Sequence, residues 1–345
     1  MNEIPDQVYY QKRFFEIIAK RKAHRNTHIL HDMMDLLNIR KGAAYKRMNG
    51  ETALTLEEVI KISKHFNVSL DSIFRGETYI SFFHPFLTDH QLGTTEEFFD
   101  QFSSFMKPLK KQEGDEDQIA MSYLANEIPI FYYFSHRYIF TFLLSVWKHL
   151  HWDEGQIEIR DTNDFDVQIE SLRKEIAVNY YGHPVTEIWN SNMLNNLYQQ
   201  IIFCITIRAF KDQTFLTRLI LDIEKLINHL REIAISGKKS IKGISTEEGD
   251  LKIYVNDFGT YLNLVLYESK AAHTSFIGYD YPQFIVSYNK SFHAFSQSWI
   301  NKIKKRSVLI SSDGFQYRAL FFIKMENDFK YFKDRVDKLM GIYYN

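Results

Sequence analysis

Leu37-Asn-Ile-Arg-Lys-Gly-Ala-Ala-Tyr-Lys-Arg-Met-Asn-Gly50 decides how the N-terminal part of this chain folds. Just upstream, His28 to Leu37 carries Leu30, Met33, Met34 and Leu37 at the three-and-four spacing of a helix with one apolar face. Asn38 comes next. Among residues other than glycine, Asn is one of the few that visit the left-handed conformation routinely, so it can close that helix and turn the chain tightly. Lys41 to Met48 reads as a further short helix, and Asn49-Gly50 is its stop signal. Two helices joined by so short a turn make a helix-turn-helix.

The neighbouring sequence supports a small helical domain around that corner. Gln7 to Ala23 places Tyr10, Phe14, Ile17 and Ile18 on one face, with Lys12, Arg13, Lys20 and Arg21 mostly elsewhere. Thr55-Leu-Glu-Glu58 is a capping box, in which Thr55 caps a helix and Glu58 reaches back to the Thr55 amide. It predicts a fourth helix through Phe66 and a fifth, short one from Ser69.

Residues 37–50, followed by Thr55-Leu-Glu-Glu-Val-Ile-Lys-Ile-Ser-Lys-His-Phe-Asn-Val-Ser-Leu-Asp-Ser-Ile-Phe74, resemble the lambda-repressor-like (XRE-type) helix-turn-helix family. The resemblance covers residues 27–76 and extends back to residue 7 with the first helix. Asn38 stands where that family usually has Gly, and the helix at 28–37 lacks the polar Gln common near its start. The resemblance implies a DNA-binding domain whose third helix lies in the major groove, with its N-terminal residues at base edges. Ala44 and Met48 are four apart and face the domain's own core, which leaves Lys41, Gly42, Tyr45, Lys46 and Asn49 outward. The base contacts expected are Lys41, Gly42, Tyr45 and Lys46. Lys41 can donate to guanine, Tyr45 offers a hydroxyl and an apolar ring, and Gly42 lets the backbone approach closely. Arg40, Arg47, Asn49, Thr27 and His28 are expected at phosphates, with Lys46 able to reach the backbone too and His31 available beside them.

Charge is distributed accordingly. Residues 1–76 hold 13 Lys plus Arg against 9 Asp plus Glu, whereas the remainder holds 29 against 34. A basic head on an acidic body suits a head that binds a polyanion. The 45% apolar and 25% charged content is that of an ordinary globular protein, and 345 residues leave room for two or three domains. The lone cysteine, Cys204, sits in the apolar run Ile201 to Ile207 and reads as a buried core residue in a reducing, cytoplasmic setting. The N-terminus shows no signal-peptide pattern. Pro129 to Trp147 is the most apolar stretch, but Ser135, His136 and Arg137 near its middle exclude a membrane span.

Beyond the helical head the pattern predicts a multidomain chain. Residues 1–78 are the DNA-binding domain and 79–117 a connecting helix and loop. Residues 118–240 form a mainly helical region, with a strand at Ile119 to Leu124 and long helices at Thr186 to Ala209 and Phe215 to Ile235. Residues 241–345 form an α+β region with a small antiparallel sheet. Its four strands lie near Leu251–Val255, Tyr261–Tyr267, His273–Ile277 and Phe284–Tyr288, where the period changes to two. The fold class expected is therefore an all-α helix-turn-helix domain, a helix-rich middle and an α+β end that senses or dimerises. Phe322, Met325, Phe329, Phe332, Val336 and Leu339 stripe a final helix that either packs on its own sheet or forms a dimer seam.

Catalytic patterns are lacking. Gly237-Lys-Lys-Ser has Glu232 where a phosphate loop needs its first glycine. His149-Leu-His151 is an i,i+2 pair, which a helix points to different sides. Arg137, Arg318, His136, His183, His273 and His293 are scattered. No enzyme activity, cofactor or metal is expected. The partners expected are double-stranded DNA and a second copy of the chain, with a small-molecule or protein effector acting on the body. The alternative is a protein-binding adaptor or antitoxin-like partner built on the same helical head. An enzyme with a DNA-targeting head is a third reading, which a deep pocket within 118–345 would favour.

Overall fold

The computed structural model describes residues 7–22, 26–66, 68, 70, 73, 120–151, 155–161, 167, 171, 180–239, 249–259, 262–269, 273–280 and 283–344. The chain divides into two compact units. The smaller takes residues 1–82 with 270–274 and 287–294, and the larger takes the rest.

Among the described residues up to Phe66, the smaller unit is built from α1 (Gln7–Lys22), α2 (Asn26–Leu37), α3 (Lys41–Met48) and α4 (Leu56–Phe66). Phe14, Phe15 and Ile18 of α1, Ile29 and Met33 of α2, Ala44 of α3, and Ile62 and Phe66 of α4 share one buried core. Each helix contributes one apolar face, because on a 3.6-residue period these spacings fall on one side. Asn38 has φ 51°, the left-handed turn its side chain tolerates. The amide of Ile39 donates to the carbonyl of Met34 at 3.1 Å, and Ile39 and Met34 both pack against the core. This is the Schellman arrangement, which satisfies a helix-end carbonyl and fixes the angle at which α3 departs. The short helix expected at Ser69 and the aromatic residues of 79–117 lie outside the described residues, apart from isolated positions up to Ile73.

The larger unit is built on one seven-stranded mixed sheet. Its strands are β1 (Ala120–Leu124), β2 (Val185–Trp189), β3 (Leu251–Val255), β4 (Asn263–Glu268), β5 (His273–Asp280), β6 (Gln283–Ser287) and β7 (Val308–Leu309). The order across the sheet is β6-β5-β4-β1-β2-β3-β7. Strands β1, β2 and β3 are parallel, with Met121 opposite Val185 and Val185 opposite Leu251. Strand β4 runs antiparallel to β1, and β7 antiparallel to β3.

This overturns the small antiparallel sheet expected from sequence. The strands that period two identifies are present, and β1 falls within the strand expected at Ile119 to Leu124, but β2 joins the sheet's centre from the region read as mainly helical. Val185–Trp189 is a strand where a long helix was expected from Thr186, and that helix is confined to α7 (Asn195–Thr206). The physical cause is burial on both faces. Strands in such a position lose the apolar–polar alternation that marks a half-exposed strand.

Helices α5 (Ile130–Tyr133) and α6 (Arg137–His151) follow β1. Helices α7 and α8 (Gln213–Ser236) connect β2 to β3. The chain continues through α9 (Lys290–Lys304) to α10 (Phe315–Tyr343). Period two sends Val185, Glu187 and Trp189 toward one face of the sheet and Ile188 toward the other. The first face carries the large core, with Leu219 and Leu226 of α8 and Phe322, Phe329 and Phe332 of α10. On the opposite face Leu124, Ile188, Leu264 and Leu266 pack against Ile300 and Ile303 of α9. The stripe Phe322, Met325, Phe329, Phe332 and Val336 of α10 is buried, and Leu339 packs against the same core. The final helix therefore uses that stripe within its own unit, not as a free seam. Among the described residues no helix is long and apolar enough to cross a membrane.

Candidate nucleic-acid interface

Helix α3 turns one side inward and the other out. Ala44 is fully buried, whereas Lys41, Gly42, Tyr45 and Lys46 are exposed, Tyr45 at 57%. A methyl group added at Gly42 would meet nothing within 4 Å, so this face is open over the backbone itself. Arg40 stands exposed immediately before the helix in an extended conformation, ψ 154°. Lys41, Tyr45 and Lys46 thus share a protruding surface with Arg40 at its leading end. Asn49 is half-buried at the other end, where its amide donates to the Tyr45 carbonyl at 3.0 Å. Thr27 and His28 lie in the first turn of α2, and their side chains are outside the described residues.

Arg47 has a different setting. Its guanidinium meets Glu58 of α4, with Nε and Nη2 each 3.0 Å from Oε1. The other carboxylate oxygen of Glu58 accepts the Thr55 amide at 3.0 Å, and the Thr55 hydroxyl accepts the Glu58 amide at 3.2 Å. The capping box is therefore present, and its glutamate also clips α3 to α4. Partial burial works to raise the Glu58 pKa. The hydrogen bonds from Arg47 and Thr55 and the charge of Arg47 outweigh it and hold the carboxyl below its ordinary 4.5.

Gln11 of α1 is a third support, one the sequence does not advertise. Its Nε2 donates to the carbonyls of Arg47 and Thr52, both at 2.7 Å, and its Oε1 accepts the Leu54 amide at 3.1 Å. Gln11 is buried, so these bonds satisfy the end of α3 and the loop after it where water does not reach. A polar residue on an otherwise apolar helix face was the available signal.

The larger unit holds a second cluster of ionisable groups, buried rather than exposed. Glu187 in β2 is fully buried and accepts from the Tyr132 hydroxyl at 2.8 Å, from Trp189 Nε1 at 2.6 Å and from the Tyr180 hydroxyl. Lys239, also fully buried, donates to the Tyr180 carbonyl with its Nζ 4.0 Å from the centre of that ring. Burial raises the Glu187 pKa against the pull of the Tyr180 hydrogen bond and the Lys239 charge. Burial pushes the Lys239 amine down to about 7, opposed by Glu187. The arrangement is a satisfied polar cluster inside an aromatic core.

Among the residues weighed for catalysis, Arg318, Arg137 and Gly237 take structural places. Arg318 is buried, and its Nη1 donates to the carbonyls of Ala234, Ile310 and Ser312 at 3.3, 3.0 and 2.7 Å. Arg137 pairs with Asp161 at 3.2 Å. Gly237 closes α8 at φ 66°, where a Cβ would come 2.2 Å from the Ser312 hydroxyl, so Gly237-Lys-Lys-Ser is a helix stop. His149 and His151 both fall within α6. His136 and His183 are buried in the larger unit, and the rings of His273 and His293 in the smaller unit lie 5.2 Å apart. Cys204 is buried, which drives its thiol up to about 12 and leaves it protonated.

Comparison with known protein families, with curated proteins and with solved structures finds no match.

Proposed function

We propose that the chain is a sequence-specific DNA-binding transcription regulator that places α3 in the major groove. One observation carries the reading: the exposed face of Arg40, Lys41, Gly42, Tyr45 and Lys46 on a helix seated by buried Ala44 and joined to α2 through the left-handed Asn38. A helix of this length with small residues near its start fits the groove, and its cations complement phosphate. Lys41 and Tyr45 read base edges, with Gly42 allowing close approach. Arg40 and Lys46 hold the phosphates. Thr27 and His28, at the start of α2, stand in for the polar Gln that the family usually has there and add to the phosphate contacts. Arg47 supports the site by fixing α3 to α4.

The regulator binds as a homodimer, because one small module reads few base pairs and two copies read two half-sites. It acts in the cytoplasm, consistent with the buried lone thiol and the lack of a long apolar helix among the described residues.

The test is a pair of substitutions on a selected binding site. Lys41→Ala should cost about 1–3 kcal/mol on the best site and relax the preference at one base position. Lys46→Ala should weaken binding on all sequences alike and lower the slope of log affinity against log salt by about 1. If Lys41→Ala leaves affinity and preference intact, α3 is not the reading helix.

A further inference from the structure

In the larger unit, α9 turns Ile300 and Ile303 onto the sheet and leaves a mixed outer side. Phe295 and Trp299, one turn apart, are 70% and 38% exposed. Lys302 follows at the next turn, and Lys305 and Arg306 stand exposed just past the helix end. From Phe295 to Ser312 the chain has four cations and no Asp or Glu. Lys304 is half-buried, its Nζ 5.8 Å from the centre of the Tyr254 ring. Among the described residues no ion pair involves Lys302, Lys305 or Arg306. A loop joins this surface at the same end. Asn256, just after β3, donates from Nδ2 to the Arg306 carbonyl at 3.3 Å and to Ser307 Oγ at 3.2 Å, and its Oδ1 accepts the Phe258 amide at 3.0 Å. Phe258 is 92% exposed. Asp257, between them, is engaged by the Ser191 amide at 2.7 Å.

Cations in a last turn complement the helix dipole, which accounts for Lys302 and Lys304 but not for the exposed rings beside them. The cations call for an anionic partner, and the apolar side chains say which kind. Val308, two residues past Arg306, is exposed as well and pairs with Val255 beside the Asn256 anchor. An aliphatic side chain offers no ring for a nucleic-acid base to stack on, but it does enter lipid. We propose that this surface docks on an anionic phospholipid membrane, with Phe258, Phe295 and Trp299 at headgroup level and Lys302, Lys305 and Arg306 against the lipid phosphates. Aromatic rings settle at that depth, and clusters of Lys and Arg are held by the negative surface of the cytoplasmic leaflet. The inner face of α9 stays on the sheet, so the helix lies along the membrane and does not enter it. The proposal does not rest on the DNA-binding reading.

The experiment is co-sedimentation of the full chain with vesicles of phosphatidylcholine alone and of an equal mixture with phosphatidylserine. Binding to the mixed vesicles that weakens as salt is raised, and binding at least about tenfold weaker to the neutral ones, is expected. The double variant Lys302→Glu/Lys305→Glu should weaken binding to the mixed vesicles at least about tenfold, since each cation near an anionic surface is worth about fivefold. Phe258→Ser/Phe295→Ser should lose about as much, whereas Phe258→Trp, which keeps an interfacial ring, should not. All four positions are exposed, so the melting temperatures should stay near that of the wild type. Lys46→Ala, on α3, should leave vesicle binding unchanged. No binding to the mixed vesicles, equal binding to both kinds, undiminished binding by both double variants, or loss with Lys46→Ala would overturn the proposal. A single-stranded oligonucleotide bound in place of the vesicles, and lost with the same variants, would also overturn it and assign the surface to nucleic acid.

Discussion

Glu58 illustrates how much one side chain can organise. One carboxylate oxygen completes the cap of α4 and the other holds Arg47 of α3, so two helices share a single anchor. Removing the arginine leaves the carboxylate half-buried without its cation. Arg47→Ala should therefore destabilise the smaller unit by about 1–2 kcal/mol, between the surface and buried extremes for such pairs. Faster amide exchange across α3 and α4 would report it. The pH dependence has a definite sign. The folded Glu58 pKa lies below 4.5, so its stabilisation is present above the unfolded value and is lost as pH falls through the folded one. The exchange difference between wild type and variant should shrink progressively as pH falls below 4.5; a difference that does not change with pH in acid would place the effect elsewhere.

At the scale of elements, the two units differ in how readable they are. Asn38 and Thr55-Leu-Glu-Glu58 announce a turn and a cap because both act within a few residues of themselves. The exposed face of α3 follows once Ala44 is placed inward. Strand β2 has no such local signal. Val185-Thr-Glu-Ile-Trp189 carries a buried glutamate whose partners Tyr132 and Tyr180 lie on other segments, and only the assembled core makes it tolerable. The Glu187 cluster yields a prediction at this scale, because it ties β2 to α5 and to the segment carrying Lys239. Glu187→Gln or Lys239→Met alone should cost about 1–3 kcal/mol, and the double variant less than the two together, as for groups that share one buried hydrogen-bonded network. The Lys239 amine sits near 7 when folded and 10.5 when free, so the unfolded chain binds more protons between those values. Wild-type stability relative to Lys239→Met should rise with pH across that window. A flat difference in denaturant titrations would mean that Lys239 is not held in its neutral form.

For the whole molecule, the central claim is that a chain with a basic head and an acidic body uses that head to read DNA. Residues 1–76 carry a net charge of +4 and the remainder −5, so non-specific attraction to the polyanion should come from the head and fade with salt. Specific binding adds base contacts that salt weakens less. Both components appear when the purified full chain selects from a pool of genomic DNA fragments at low and at physiological salt. The account predicts enrichment of a palindromic motif that persists at physiological salt, over a background that is strong only at low salt. Uniform weak binding, or none at either salt, would contradict it and make the face of α3 a surface for a protein partner.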